Sequence, residues 1–119
     1  MPYHEPFVPH EWFLVDFQNT DILLPDHSLV HISHDQLRVF ISTGTVSKTI
    51  NEIVNQVIIM RDSDEKLGID INVRSRTAAG IRLQIHEINK AFGQKIIIHS
   101  HIMGKYRLIN QQEWDPHTR

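Results

Sequence analysis

SRTAAGIRLQIHEINKAFG, residues 75–93, is the stretch on which the fold turns. Ile81, Ile85, Ile88 and Phe92 stand at i, i+4, i+7 and i+11, so at 100° per residue they form one narrow apolar stripe. Ser75 or Thr77 can cap the amino end through a side-chain oxygen, and Gly93 can stop the helix just after Phe92. The face opposite the stripe carries Arg76, Ala79, Leu83, His86, Glu87 and Lys90, with Arg82 at its flank. The spacing therefore predicts an amphipathic helix that buries its isoleucines and turns a mostly basic face to solvent.

Downstream, Lys95–Ser100 (KIIIHS) and Lys105–Ile109 (KYRLI) are two strand-like runs joined by a bend near Met103-Gly104, which predicts a hairpin. Upstream, Ser47 can cap a second helix whose Ile50, Ile53, Val54 and Val57 share one face. Between that helix and the next, Arg61–Asn72 (RDSDEKLGIDIN) is polar and contains Gly68, so a loop is expected there. Ser33-x-x-Gln36 is a capping box, followed at helical spacing by Leu37, Phe40 and Ile41 and closed by Gly44. Trp12–Phe17, Asp21–Leu24 and Ser28–Ile32 read as three short strands, the last two separated by the turn-like Pro25-Asp26-His27. Three prolines in residues 1–10 predict an irregular arm, and residues 111–119 a polar tail. The expectation is one α+β domain over residues 11–110, with an antiparallel sheet, three helices and a closing β-hairpin.

Charge is divided unevenly along this frame. From Asn72 to Ile109 there are seven bases (Arg74, Arg76, Arg82, Lys90, Lys95, Lys105, Arg107) and one acid, Glu87, a net +6. Met1–Ile71 holds four bases and eleven acids, net −7, and the last ten residues add −1, giving the total of −2. A positive helix beside a positive hairpin is the electrostatic footprint of a nucleic-acid-binding module. The competing reading is a solvated surface with no partner. The chain has no cysteine, hence no disulfide framework or thiolate metal site, and no apolar run near the ~20 residues that span a bilayer. Its first residues lack the basic-then-apolar pattern of a signal peptide, so a cytoplasmic location is expected.

Four segments, in order, resemble the winged-helix effector domains of OmpR/ToxR-type bacterial transcription regulators. HISHDQLRVF (31–40) resembles the entry to that family's first helix, and TVSKTINEIVNQV (45–57) its V-S-R-x-x-L-x-x-x-V second helix. GIRLQIHEINKAFG (80–93) resembles its recognition helix, and GKYRLI (104–109) its closing G-Y-R-L strand. The resemblance covers roughly residues 11–110. It implies sequence-specific binding of double-stranded DNA, with the third helix in the major groove and the hairpin, or wing, on the backbone or minor groove. Arg76, Leu83, His86, Glu87 and Lys90 would then face base edges and nearby phosphates, with Arg82 and Arg74 beside them. Lys105 and Arg107 would lie on the wing, and Ser47 and Lys48 near phosphate at the start of the second helix. The small footprint of one such module predicts action as a dimer or tandem on repeated half-sites, and the resemblance implies RNA polymerase as a partner through the loop between the second and third helices. The family's larger members add a phosphoacceptor receiver or a membrane segment; the expectation here is either a stand-alone regulator or the effector part of a longer protein.

Three positions depart from the pattern. Glu87 and Asn89 stand where the family often has Arg or Lys, the second helix lacks the usual tryptophan at its end, and SHIMGKYRL is one residue short of the usual wing turn. A glutamate can accept from cytosine N4 but repels phosphate. These departures suit the alternative function, a winged-helix protein–protein interaction module that no longer binds DNA.

Other residue groups have a chemical and a plain reading. His99 and His101, at i and i+2 on a strand, share a face and could bind a metal if His31, His34 or His86 converged on them. Leu83 could touch a thymine methyl or be an isolated surface residue. Trp12, Phe13 and Phe17 read as sheet core, Trp114 as a partner contact or nothing, and Asp62, Asp64 and Glu65 as a solvated turn. There is no nucleophile–base pairing, glycine-rich phosphate loop or pair of acids at catalytic spacing, so no enzymatic activity and no cofactor are expected.

Overall fold

The computed structural model describes residues 6–69 and 77–116. Among these the order is β1 (Phe7–His10), β2 (Phe13–Asp16), β3 (Asp21–Leu23), β4 (Leu29–His31), α1 (His34–Thr43), β5 (Lys48–Thr49), α2 (Ile50–Lys66), α3 (Ala78–Phe92), β6 (Ile97–Ser100) and β7 (Lys105–Leu108). The architecture is α+β, with three helices and two antiparallel sheets.

The first sheet is a meander in the order β1-β2-β3-β4. Strand β1 corrects the expected irregular arm: Phe7, Val8, Pro9 and His10 pair with Asp16, Val15, Leu14 and Phe13. Proline is compatible with this position because β1 is an edge strand, whose outward side needs no ladder hydrogen bond. The second sheet takes the order β5-β7-β6, so the two-residue strand before α2 pairs with the far arm of the C-terminal hairpin.

All three helix starts are side-chain capped. Ser33 and Gln36 form the reciprocal box of α1, as their spacing predicts. For α2 the cap is Thr49, with Glu52 closing the box, rather than Ser47, which lies two residues earlier. Thr77 accepts from the Gly80 amide to start α3, and Gly93, at φ +72°, ends it in the left-handed conformation.

Helix α1 is the hub of the core. Leu37, Val39 and Phe40 are buried on it, and the Phe40 ring stacks on Phe92 of α3 at 5.3 Å and meets Phe13 of β2 at 4.9 Å. The α3 stripe of Ile81, Ile85, Ile88 and Phe92 is buried, as are Ile53 and Val57 of α2, with Ile50 and Val54 packed alongside. Phe17, read as core, is 41% exposed instead. Trp12 closes the core's C-terminal end, donating from Nε1 to the Ile109 carbonyl at 2.9 Å and packing against Trp114 at 5.5 Å.

The expected loop from Arg61 is also corrected, since α2 continues to Lys66. Its inward stripe runs Ile53, Val57, Met60, Asp64, and the last member is a carboxylate because it meets a cation. Asp64 Oδ2 accepts from Arg38 Nε at 2.7 Å, and Arg38 is only 2% exposed. A cation that deeply buried needs its charge answered, so part of the acidic cluster read as a solvated turn is a structural ion pair. No helix among the described residues is long and apolar enough to cross a membrane.

Candidate nucleic-acid interface

Helix α3 and the β6–β7 hairpin flank a cleft of about 500 Å³. Arg82, Ile85, His86 and Asn89 line it from α3, Lys95 from the connecting loop, and His99, His101 and Tyr106 from the hairpin. Among the described residues the lining thus includes two cations and three histidines, and no carboxylate.

The helix supplies its share because burial of the isoleucine stripe turns the opposite face outward. Arg82, His86 and Lys90 are exposed, and Leu83 is 49% exposed among them. Glu87 is half-buried and is not part of the cleft lining. Among the described residues, none of Arg82, Lys90, Lys95 and Lys105 enters an ion pair. Lys105 does lie within electrostatic range of Glu52, whose own carboxyl is held below its ordinary value, chiefly by the Thr49 amide. Arg74 and Arg76 lie outside the described residues.

The hairpin side is ordered by ring stacking. His99 lies directly across the ladder from Tyr106, and their rings stack at 4.2 Å with planes 13° apart. His101 meets His99 edge-on at 4.7 Å. The two rings are neighbours, although β6 ends at Ser100 and His101 stands in the turn rather than on the strand; among the described residues no three His, Asp or Glu side chains are grouped to hold a metal ion. His31, one of the possible converging ligands, sits instead on Asp21 at 2.8 Å in the first sheet.

Asn89 fixes the cleft's geometry. Its Nδ2 donates to the Ile97 carbonyl at 3.0 Å while its Oδ1 accepts from the Ile97 amide at 2.9 Å. Strand β6 is an edge of its sheet, so these backbone groups have no neighbouring strand; the asparagine amide serves as one. The residue therefore ties helix to hairpin, and is not a basic contact replaced by a neutral one. Asn89→Ala is expected to cost about 2 kcal/mol of stability, the range for leaving buried backbone groups unpaired. It should also loosen the angle between α3 and the hairpin. Urea unfolding measures the first effect, and a faster hydrogen exchange at the Ile97 amide the second.

Two expected contacts are already occupied. Lys48 Nζ donates to the Thr43 carbonyl at 2.7 Å, placing its charge on the carboxyl end of α1, where cations are favoured. Arg107 is gripped by Glu113 through two bonds, Nη1–Oε1 at 2.7 Å and Nη2–Oε2 at 2.9 Å. It sits on the hairpin face away from the cleft, since its ladder neighbours Tyr106 and Leu108 point inward. Arg107 and the Asn110 amide hold the Glu113 carboxyl down from 4.5 to about 2. A carboxyl depressed in the folded state stabilises above the unfolded value and ceases to do so as pH falls through the folded one. The stability gap between the wild type and Glu113→Gln is therefore expected to be present at pH 7 and to close between about 4.5 and 2. Thermal unfolding across that window measures it, and a gap constant with pH would count against the pair.

Comparison with protein-family models, curated proteins and solved structures yields no match.

Proposed function

We propose that this chain is a winged-helix protein that binds double-stranded DNA in a sequence-dependent way and acts as a bacterial transcription regulator of the OmpR/ToxR type. The observation that carries this reading is the cleft between α3 and the hairpin, lined by no acid among the described residues and bordered by cations that enter no ion pair there. The sheet order β5-β7-β6 supports it too, because a short strand between the first two helices braces the hairpin as a wing requires.

In this reading α3 enters the major groove, which at about 12 Å wide admits one helix. Arg82 and Lys90 reach phosphate or the acceptor edge of guanine, His86 a base edge or phosphate, and Leu83 a thymine methyl. Lys95, His99 and His101 attend the backbone segment lying between helix and wing. Lys105 adds charge beside the turn at the tip of the wing. The acidic half, borne by the first sheet and α2, faces away from the duplex. Function is binding without bond chemistry, by two copies on repeated half-sites, since one such module covers too little DNA for high specificity. RNA polymerase is a further partner that the resemblance brings to this proposal.

Selection of bound sequences from a random duplex library tests it. An enriched motif, repeated about one helical turn apart, is the expected result. Absence of any binding at low salt would refute it. The exposure of Leu83 at the centre of the basic face also fits the second reading, a module that binds protein. There, a partner would be lost on Leu83→Ala or Glu87→Ala while duplex binding is absent.

A further inference from the structure

We infer that the tip of the β6–β7 hairpin is an apolar wedge, with Ile102 and Met103 entering the minor groove of the bound duplex, parting a base step and bending the DNA. The inference rests on the duplex-binding reading above and deepens it.

Ile102 is 99% exposed, more than any other large apolar side chain among the described residues, and Met103 beside it is 60% exposed. Turns are ordinarily built from small and polar residues, because their side chains meet water. Here two large apolar side chains occupy the turn of the hairpin; Ile102 packs on nothing in the fold, and Met103 keeps more than half of its surface in solvent. The turn that carries them is well bonded. The Gly104 amide donates to the Ser100 carbonyl at 2.7 Å, and the Met103 amide to Ser100 Oγ at 3.2 Å. Gly104 takes φ +64°, which a side chain would resist. In the turn and below it, His101, His99 and Tyr106 form the ring stack already described. The tip is thus held out on a firm base.

Its surroundings select among occupants. Residues 95–109 contain Lys95, Lys105 and two histidines and no Asp or Glu, while the charge of Arg107 among them is already answered by Glu113. A protein or lipid partner would need only the apolar pair, whereas DNA uses both the apolar tip and the flanking positive charge. Isoleucine and methionine are among the side chains that insert between base steps from the minor groove and kink the duplex. Reach is adequate as well. The hairpin leaves α3 at the Asn89–Ile97 clamp, and three strand steps plus the turn carry the tip roughly 13 Å from it. The neighbouring groove lies about half of a ~34 Å helical turn away, and the Ile102 side chain supplies most of the remaining distance.

The test compares the wild type with the Ile102→Ser/Met103→Ser double variant on a duplex with a central TA step, end-labelled for energy transfer. A fluorescent adenine analogue at the step reports unstacking. The variant keeps every core residue, and its thermal midpoint should match the wild type. The expected result is wild-type bending of about 20° or more with brightening of the analogue, both abolished in a variant that still binds. Equal bending by both proteins, or wild-type binding to a straight duplex, would overturn the wedge while leaving duplex binding intact. No binding by the wild type at low salt would overturn the underlying reading together with the wedge.

Discussion

Alanine at Arg82 and Lys90 together is expected to weaken duplex binding by roughly 30- to 100-fold at moderate salt, with the thermal midpoint unchanged. Both side chains are exposed on α3 and neither enters an ion pair among the described residues, so their removal leaves no buried partner behind. A lost base contact typically costs about 1–3 kcal/mol, and a lost phosphate contact lowers the salt slope by about one. If both residues meet phosphate, the slope falls by about two and all sequences weaken alike; if one reads a base, discrimination narrows at that position. Anisotropy titrations with the selected and a scrambled duplex measure all three quantities. Unchanged affinity in the double variant would remove α3 from the interface.

The second large effect is on the fold. Phe40→Ala should destabilise the domain by about 4 kcal/mol, within the 3–5 kcal/mol range for emptying a buried phenylalanine site. Phe40 is fully buried at the junction of β2, α1 and α3, with aromatic rings against it from two elements. Collapse into the space is hindered because Phe13 and Phe92 each belong to a different element and cannot both move inward. Against a usual total of 5–15 kcal/mol this is a large fraction. The midpoint should fall by roughly 16 °C, taking about 4 °C per kcal/mol for a domain of this length. A loss under about 1 kcal/mol would mean that the three elements do not converge on this ring.

The parts of this fold that were legible in the sequence are those written in local chemistry. The Ser33/Gln36 box, the Gly44 and Gly93 stops and the Ile81-Ile85-Ile88-Phe92 stripe all act within about three helical turns, and the structure has them where the spacing puts them. Two misreadings concern residues whose partners are remote. Pro9 suggests irregular chain unless its strand is known to be an edge. Asp64 interrupts an apolar stripe unless the buried Arg38, 26 residues earlier, is placed against it. Ser47 and Thr49 are both capping types, but this miss was a local one, since Glu52 stands three residues after Thr49 and completes a capping box that Ser47, followed by Ile50, cannot make.

The same division holds at the candidate site. Burial of the stripe was enough to predict that Arg82, Leu83, His86 and Lys90 face outward. That Asn89 belongs to the Ile97 backbone, and Arg107 to Glu113, depends on how the hairpin and tail fold back. The His99–Tyr106 stack was accessible in principle. A four-residue turn closing Ser100 onto Lys105 sets the two residues opposite each other, so fixing the turn would have fixed the pair.

The salt dependence of duplex binding by the unmodified protein tests the central claim most directly. Three to four phosphate contacts from Arg82, Lys90, Lys95 and Lys105 predict a log–log slope of about −3 to −4, at about −0.9 per contact. A slope in that range, reduced by Arg82→Ala, is the predicted result. A slope near zero, or no binding at low salt, would contradict it and mean that the cleft between α3 and the hairpin is not a DNA-binding surface.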